Sequence, residues 1–119
     1  MKKKEKLDVR IWWSKVEWSP CTWRYEAIYE HCPMPVGVVY AYFLTLGMKT
    51  KISQAYILDS FVLPGYRRRG IMTAITNEIK KTVDVIISGG SSKAGLGFMK
   101  SKNYKLDKDT GIYKLKVKR

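Results

Sequence analysis

Residues 61–72 read F-V-L-P-G-Y-R-R-R-G-I-M, and the reading of the whole chain turns on them. The apolar triplet Phe61, Val62, Leu63 runs into Pro64 and Gly65, which no central strand accommodates. Arg67, Arg68 and Arg69 follow, and from Gly70 through Ile71, Met72 and Thr73 the pattern turns helical. A strand that passes through a basic turn into a helix start suits an anion. The first-turn N–H groups of a helix have no intrahelical partners, and the helix dipole adds partial positive charge there. The plainer alternative is a basic turn carrying a solvated arginine cluster.

Working outward, residues 52–63 form a long strand whose second half is apolar enough for burial on both faces. Residues 70–82 form a helix with Ile71, Ile75 and Ile79 on one face, helped by Met72 and Ala74. Lys80 and Lys81 occupy its last turn, where cations suit the dipole. Residues 83–88, V-D-V-I-I-S, have the β-branched character of a buried parallel strand. This strand–helix–strand should be a right-handed parallel crossover.

Upstream, 36–44 is a strand, paired as a hairpin with 23–30 across the turn H-C-P-M-P at 31–35. Ser19-Pro20 could start a helix, but the alternation of 23–30 favours strand. A first strand at 7–13 alternates Leu7, Val9 and Ile11 with polar neighbours, after a loose basic end at 1–6. Downstream, a loop at 89–92 leads to a short helix over 93–102, weakened by Gly95 and Gly97 and ended by Asn103. Residues 104–106, a turn at 107–111 and a strand at 112–118 close the chain. In that last strand Tyr113, Leu115 and Val117 face in while Lys114, Lys116 and Lys118 face out.

The expected fold class is therefore α/β in the α+β sense, a mixed and mostly antiparallel sheet with a parallel strand–helix–strand centre and flanking helices. Residues 7–119 make one domain. The four tryptophans, all at or before Trp23, read as core and sheet-face residues rather than a base-stacking platform.

Lys plus Arg number 23 against 10 Asp plus Glu, a net charge of +13. Such an excess draws anions: nucleic acid, an anionic cofactor, an acidic protein or a membrane surface. Plain solubility is the alternative. Cys21, Cys32 and His31 do not make a usual zinc set, so no metal is expected. Two cysteines fit reduced thiols, no apolar run approaches the ~20 residues of a membrane span, and a cytoplasmic protein is expected.

From Val62 the sequence V-L-P-G-Y-R-R-R-G-I-M resembles the acyl-CoA-binding motif of the GNAT superfamily of N-acyltransferases, V-x-P-x-x-[Q/R]-x-x-G-x-[G/A]. Arg67 matches the Gln/Arg position and Gly70 the glycine, while Met72 stands where Gly or Ala is usual. The order of elements matches from about Arg24 onward. The resemblance implies a GNAT-like sheet and an acyl-CoA co-substrate, acetyl-CoA most simply. The pyrophosphate would sit on the N–H groups of residues 67–73, with Arg68 and Arg69 adding charge. The pantetheine arm would lie along the backbone of Phe61, Val62 and Leu63.

In the family a Tyr after the fifth strand often protonates the leaving thiolate. Here Met99 falls at that position, and Asn103-Tyr104 replaces a Gly-Phe-like end. Tyr104 or Ser92 could substitute as the acid. Asp59, on the strand where the family often carries an acidic residue, is the possible base; Glu26, Glu30 and His31 are weaker candidates.

The function so implied is acyl transfer to a primary amine on an unknown acceptor, for which the net charge suits an anionic molecule or a nucleic acid, with no membrane partner expected. The alternative is a nucleic-acid-associated modifying or binding protein on the same fold, favoured by basic residues interleaved with aromatics. The first strand leaves little room for the two helices that follow it in the family, so a homodimer could complete the acceptor wall.

Overall fold

The computed structural model describes residues 9–46, 52–67, 69–89, 99, 102 and 104–117. The expectations for 1–6, Arg68, Ser92, Asn103, Lys118 and most of the 93–102 helix lie outside those residues. The described elements are β1 (Arg10–Val16), β2 (Ser19–Ile28), β3 (Gly37–Leu46), β4 (Ile52–Val62), α1 (Ile71–Lys80), β5 (Val85–Ser88), β6 (Lys105–Asp107) and β7 (Ile112–Lys116). They form one seven-stranded sheet in the order β1-β2-β3-β4-β5-β7-β6. Only β4 and β5 pair in parallel, joined by the crossover through α1; the other pairs are antiparallel. This is the mixed sheet with a parallel centre that the patterning implies.

Residues paired across the strands share a face, so the register sorts the side chains. One face carries Tyr25 and Ala27 of β2, Val39 and Ala41 of β3, Ala55 of β4 and Ile86 of β5. Against it packs α1, whose Ile71, Ile75 and Ile79 are fully buried. Each isoleucine contributes roughly 1.5–3 kcal/mol by leaving water. The alanines on the sheet keep the helix close, and Gly37 keeps it closer still: a Cβ there would lie 2.6 Å from Ile71 Cγ2. Met99 and Tyr104 belong to the same core.

The opposite face is the more open one. No described helix packs on it, and Trp12 at 60% and Phe61 at 52% exposure reach solvent there, while Thr22 and Ile87 on the same face are buried. A turn at Glu17 and Trp18 links β1 to β2 directly, where the family resemblance would put two covering helices.

Two expectations fail in part, and the more open face accounts for Trp12, Asp59 and Phe61 but not for Trp13 and Ser60, which share the α1 face with Tyr25 and Val39. Trp12, Trp13 and Trp18 are exposed rather than core, and only Trp23 is partly buried, edge-on to Trp13 at 5.1 Å. The second half of β4 is not buried on both faces: Leu58, Asp59, Ser60 and Phe61 are all exposed. Some boundaries also move. β2 starts at Ser19, so the Ser19-Pro20 pair opens a strand, and α1 runs Ile71–Lys80 with Gly70 as its N-cap. No described helix is long and apolar enough to cross a membrane.

Candidate anion-binding site at the end of β4

Strand β4 pairs with β5 only from Gln54 to Ile57, the last pair being Ile57 with Ser88. Beyond that point β4 continues to Val62, bonded to β3 on one side and to no described strand on the other. At the same level the β3–β4 register slips: Tyr40 pairs with Asp59 and Ala41 with Ile57, leaving Leu58 as an extra residue. A bulge of this kind bends its strand and increases the local twist. Among the described residues this leaves a cleft beside β4 at residues 58–61, where no described strand pairs with its edge.

The cleft leads to the basic turn. Leu63 N–H donates to Val36 O at 2.9 Å, tying the end of β4 to β3. Pro64–Tyr66 then makes one turn of 3-10 helix. Arg67 is exposed, and its Nε donates to Val62 O at 3.2 Å, so the guanidinium is held at the mouth of the cleft. The Arg69 guanidinium lies 6.0 Å from the centre of the Tyr66 ring.

Gly70 sits in the left-handed region at φ 85°, a conformation that glycine alone adopts without strain. It caps α1 with no side chain of its own, and the first intrahelical bond is Ala74 N–H to Gly70 O at 2.9 Å. The N–H groups of Ile71, Met72 and Thr73 therefore have no acceptor within the helix. Ile71 is buried in the core and Met72 packs partly against it. The bulky residue at the motif's small position thus turns inward, away from the anion side of the turn.

Around Tyr66 gathers a cluster from the β2–β3 turn. Its ring stands 6.2 Å from that of Tyr29, which is edge-on to His31 at 5.2 Å. A side-chain hydrogen bond with Cys32 pushes the Tyr66 phenol above its usual range, with burial adding to it. Glu30 and His31 are exposed and face each other at 3.0 Å.

The remaining sequence-derived candidates separate. Asp59 follows the bulge on β4, exposed on the open face, and its Oδ1 accepts from Ser60 N–H at 2.9 Å. Phe61 shares that face, while Val62 and Leu63 pack partly into the core. Glu26 is two strands away from Asp59, 2.7 Å from Arg24 Nε, and the Arg24 Nη1 donates to Tyr40 Oη at 3.1 Å. The Arg24–Glu26 approach is an ion pair off the N–H axis, since that buried Nε makes no hydrogen bond. Tyr104 is not brought to the cleft. It is a core residue on the far side of the sheet, and burial pushes its phenol up to about 12. Met99, at the family's Tyr position, is also buried in the core.

Sequence reasoning missed the bulge at Leu58 and the Tyr66–Cys32 contact. The first falls at the end of the apolar run Ala55–Leu58, where no alternation marks the register. The second joins two turns distant in sequence and had no signal.

No protein-family model and no curated protein matches the sequence. Solved structures do match its fold. The KacTA–DNA complex aligns with a TM-score of 0.65 at 5% identity, over 83% of this chain and 70% of that one. A GNAT-family acetyltransferase from Staphylococcus aureus Mu50 aligns with a TM-score of 0.58 at 18% identity, over 82% and 69%. Arabidopsis thaliana NAA60 in complex with acetyl-CoA aligns with a TM-score of 0.54 at 18% identity, over 72% and 63%. The chain thus spans 63–70% of the length of these structures. Its fold is that of the GNAT acetyltransferases.

Proposed function

We propose that this chain is an acyl-CoA-dependent N-acyltransferase, with acetyl-CoA as the simplest donor and a primary amine as the acceptor. The observation that carries the reading is a juxtaposition. An unpaired length of β4 runs directly into a helix start whose N–H groups are uncapped, with Arg67 at the junction. An extended amide-bearing arm ending in a pyrophosphate has this shape. NAA60, a protein of like fold, was solved with acetyl-CoA bound.

The residues present fit such a ligand. Gly70 offers no side chain at the turn, Met72 is turned to the core, and the amides of Ile71, Met72 and Thr73 remain for the phosphates. Arg67 and Arg69 add charge, with Arg68 as the sequence-level third. Phe61, Val62 and Leu63 lie where the arm would enter.

Acyl-CoA, when bound, supplies a thioester carbonyl activated toward amines. Asp59, exposed beside the cleft, is the residue in reach of an amine arriving over the open face, and its role is to take the ammonium proton so that nitrogen can attack. Backbone N–H groups of the bulged segment are the donors this chain offers to the carbonyl oxygen as negative charge develops there. As the C–S bond breaks, the thiolate leaves without help from Tyr104, whose buried phenol is a poor acid. An unperturbed thiol ionises near about 8.5, so unassisted departure is tolerable at a cost in rate.

Calorimetric titration of the chain with acetyl-CoA tests the reading. Binding should stabilise the fold by about 2.7 kcal/mol at a hundred times Kd. Arg67→Ala should weaken affinity about tenfold or more, the loss of one charge-assisted contact. Asp59→Asn should bind acetyl-CoA normally and release thiol with amine acceptors roughly 100- to 10,000-fold more slowly. Absence of heat and of thermal stabilisation at millimolar acetyl-CoA sinks the proposal.

A further inference from the structure

We propose that the open face of the sheet is a docking platform for single-stranded nucleic acid. The inference does not rest on acyl-CoA binding, which uses the end of β4 and the start of α1.

The register lays out the platform. Tyr42 of β3 pairs with Tyr56 of β4, Tyr56 with Ile87 of β5, Ile87 with Lys114 of β7, and Lys114 with Lys105 of β6. One pleat away, Gln54, Val85 and Lys116 make a parallel row. On the other flank Trp12 pairs with Glu26, Glu26 with Val38, and Val38 with Phe61. The face therefore carries the exposed rings of Trp12 and Phe61 and the partly buried Tyr42 and Tyr56, and past the buried Ile87 it gives way to Lys105, Lys114 and Lys116. All three lysines are exposed. At roughly 4.8 Å between strands, the row from Tyr42 to Lys105 spans about 19 Å, enough for a short run of nucleotides.

The chemistry of such a face selects its occupant. The exposed rings of Trp12 and Phe61 accept any base by stacking, and ammonium groups alongside neutralise phosphates. A second copy is disfavoured, because each chain carries +13 and the lysine rows would meet a like-charged surface. Of the carboxylates on the same face, Glu26 is ion-paired with Arg24, while Asp59 and Asp107 accept backbone N–H bonds from Ser60 and Asp109 and are outnumbered by the three lysines. A single strand is also the form whose bases are free to lie on a flat floor.

Anisotropy with a labelled oligothymidylate of about 15 nucleotides, against a duplex of the same length, tests the proposal at several salt concentrations. The expected result is tighter binding of the single strand. Lys105→Gln/Lys114→Gln/Lys116→Gln should lower its affinity about tenfold or more and flatten the salt dependence by up to about two logarithmic units. The control Lys80→Gln/Lys81→Gln/Lys102→Gln removes the same charge away from this face and should change affinity by no more than about twofold. Trp12→Ala, at an exposed position, should cost on the order of tenfold. A bromodeoxyuridine-substituted strand, irradiated with the unmodified protein, should crosslink to peptides containing Trp12 or Tyr56. Equal losses in both triple variants, preference for duplex, crosslinks confined to α1, or no binding at low ionic strength would each overturn it. So would a dimer in sedimentation that Trp12→Ala converts to monomer.

Discussion

Tyr104 shows what burial does to a single side chain. It sits in the core with Met99, and loss of water around the phenol raises its pKa to about 12, above the ordinary value of 10.0. Tyr25 is raised for the same leading reason. A raised folded pKa means that the folded state holds the proton more tightly than the unfolded state. For Tyr104 the stabilisation is complete below pH 10 and is lost as pH climbs from there toward 12, at up to about 1.4 kcal/mol per pH unit, and Tyr25 acts in the same direction. Denaturant unfolding across this window should show that decline, and Tyr104→Phe should make it shallower. An unchanged slope would mean that the phenol is hydrated in the folded protein. Other single residues settle local questions in the same physical terms. Gly70 adopts a backbone that a Cβ would strain, and Met72 lies inward because its thioether gains by joining the core.

At the scale of elements, the approach of α1 to β3 sets the position of the basic turn. Gly37 is where they come nearest, with Ile71 and Ile75 both within van der Waals range of an added methyl. Ile71 is itself fully buried, so it has no room to give, and the helix must shift instead. Gly37→Ala should destabilise the fold by about 1–3 kcal/mol, measured by urea unfolding. Because Ile71 begins the helix that follows the turn, the same variant should also weaken acetyl-CoA binding. A variant as stable as the parent would show that α1 rides more loosely than its packing indicates. The cleft beside β4 is likewise a property of elements. Strand β5 is short, β4 is long, and the bulge at Leu58 bends β4 where their pairing ends.

Across the whole molecule, protection should follow the sheet order. Strand β3 and residues 54–57 of β4 have hydrogen-bonded strands on both sides, whereas β1 and β6 are edges. Amide exchange should be slowest in the first group and fastest in the edge strands, since local opening costs least where fewest contacts break. Uniform protection over all seven strands would contradict this arrangement.

How much of this was legible beforehand depended on the range of the interactions involved. Pro64, Gly65 and Gly70 act through their own backbones, so the turn from β4 into α1 could be read directly. The isoleucines at helical spacing and the β-branched run of β5 are periodic signals, and they located the parallel crossover. The exposure of Trp12 and the half-open second part of β4 were not legible. An apolar side chain is buried only if some other element lies over it, and that depends on how short the β1–β2 connection is and which side the crossover takes.

The basic turn at residues 61–72 was thus determined by the sequence alone, because it is made from local backbone preferences. What only the tertiary structure decided is where that turn opens and what surrounds it. Among the described residues β4 runs on past the end of β5 from a bulge, and α1 packs on one side of the sheet only, which leaves Trp12 and Phe61 exposed on the other.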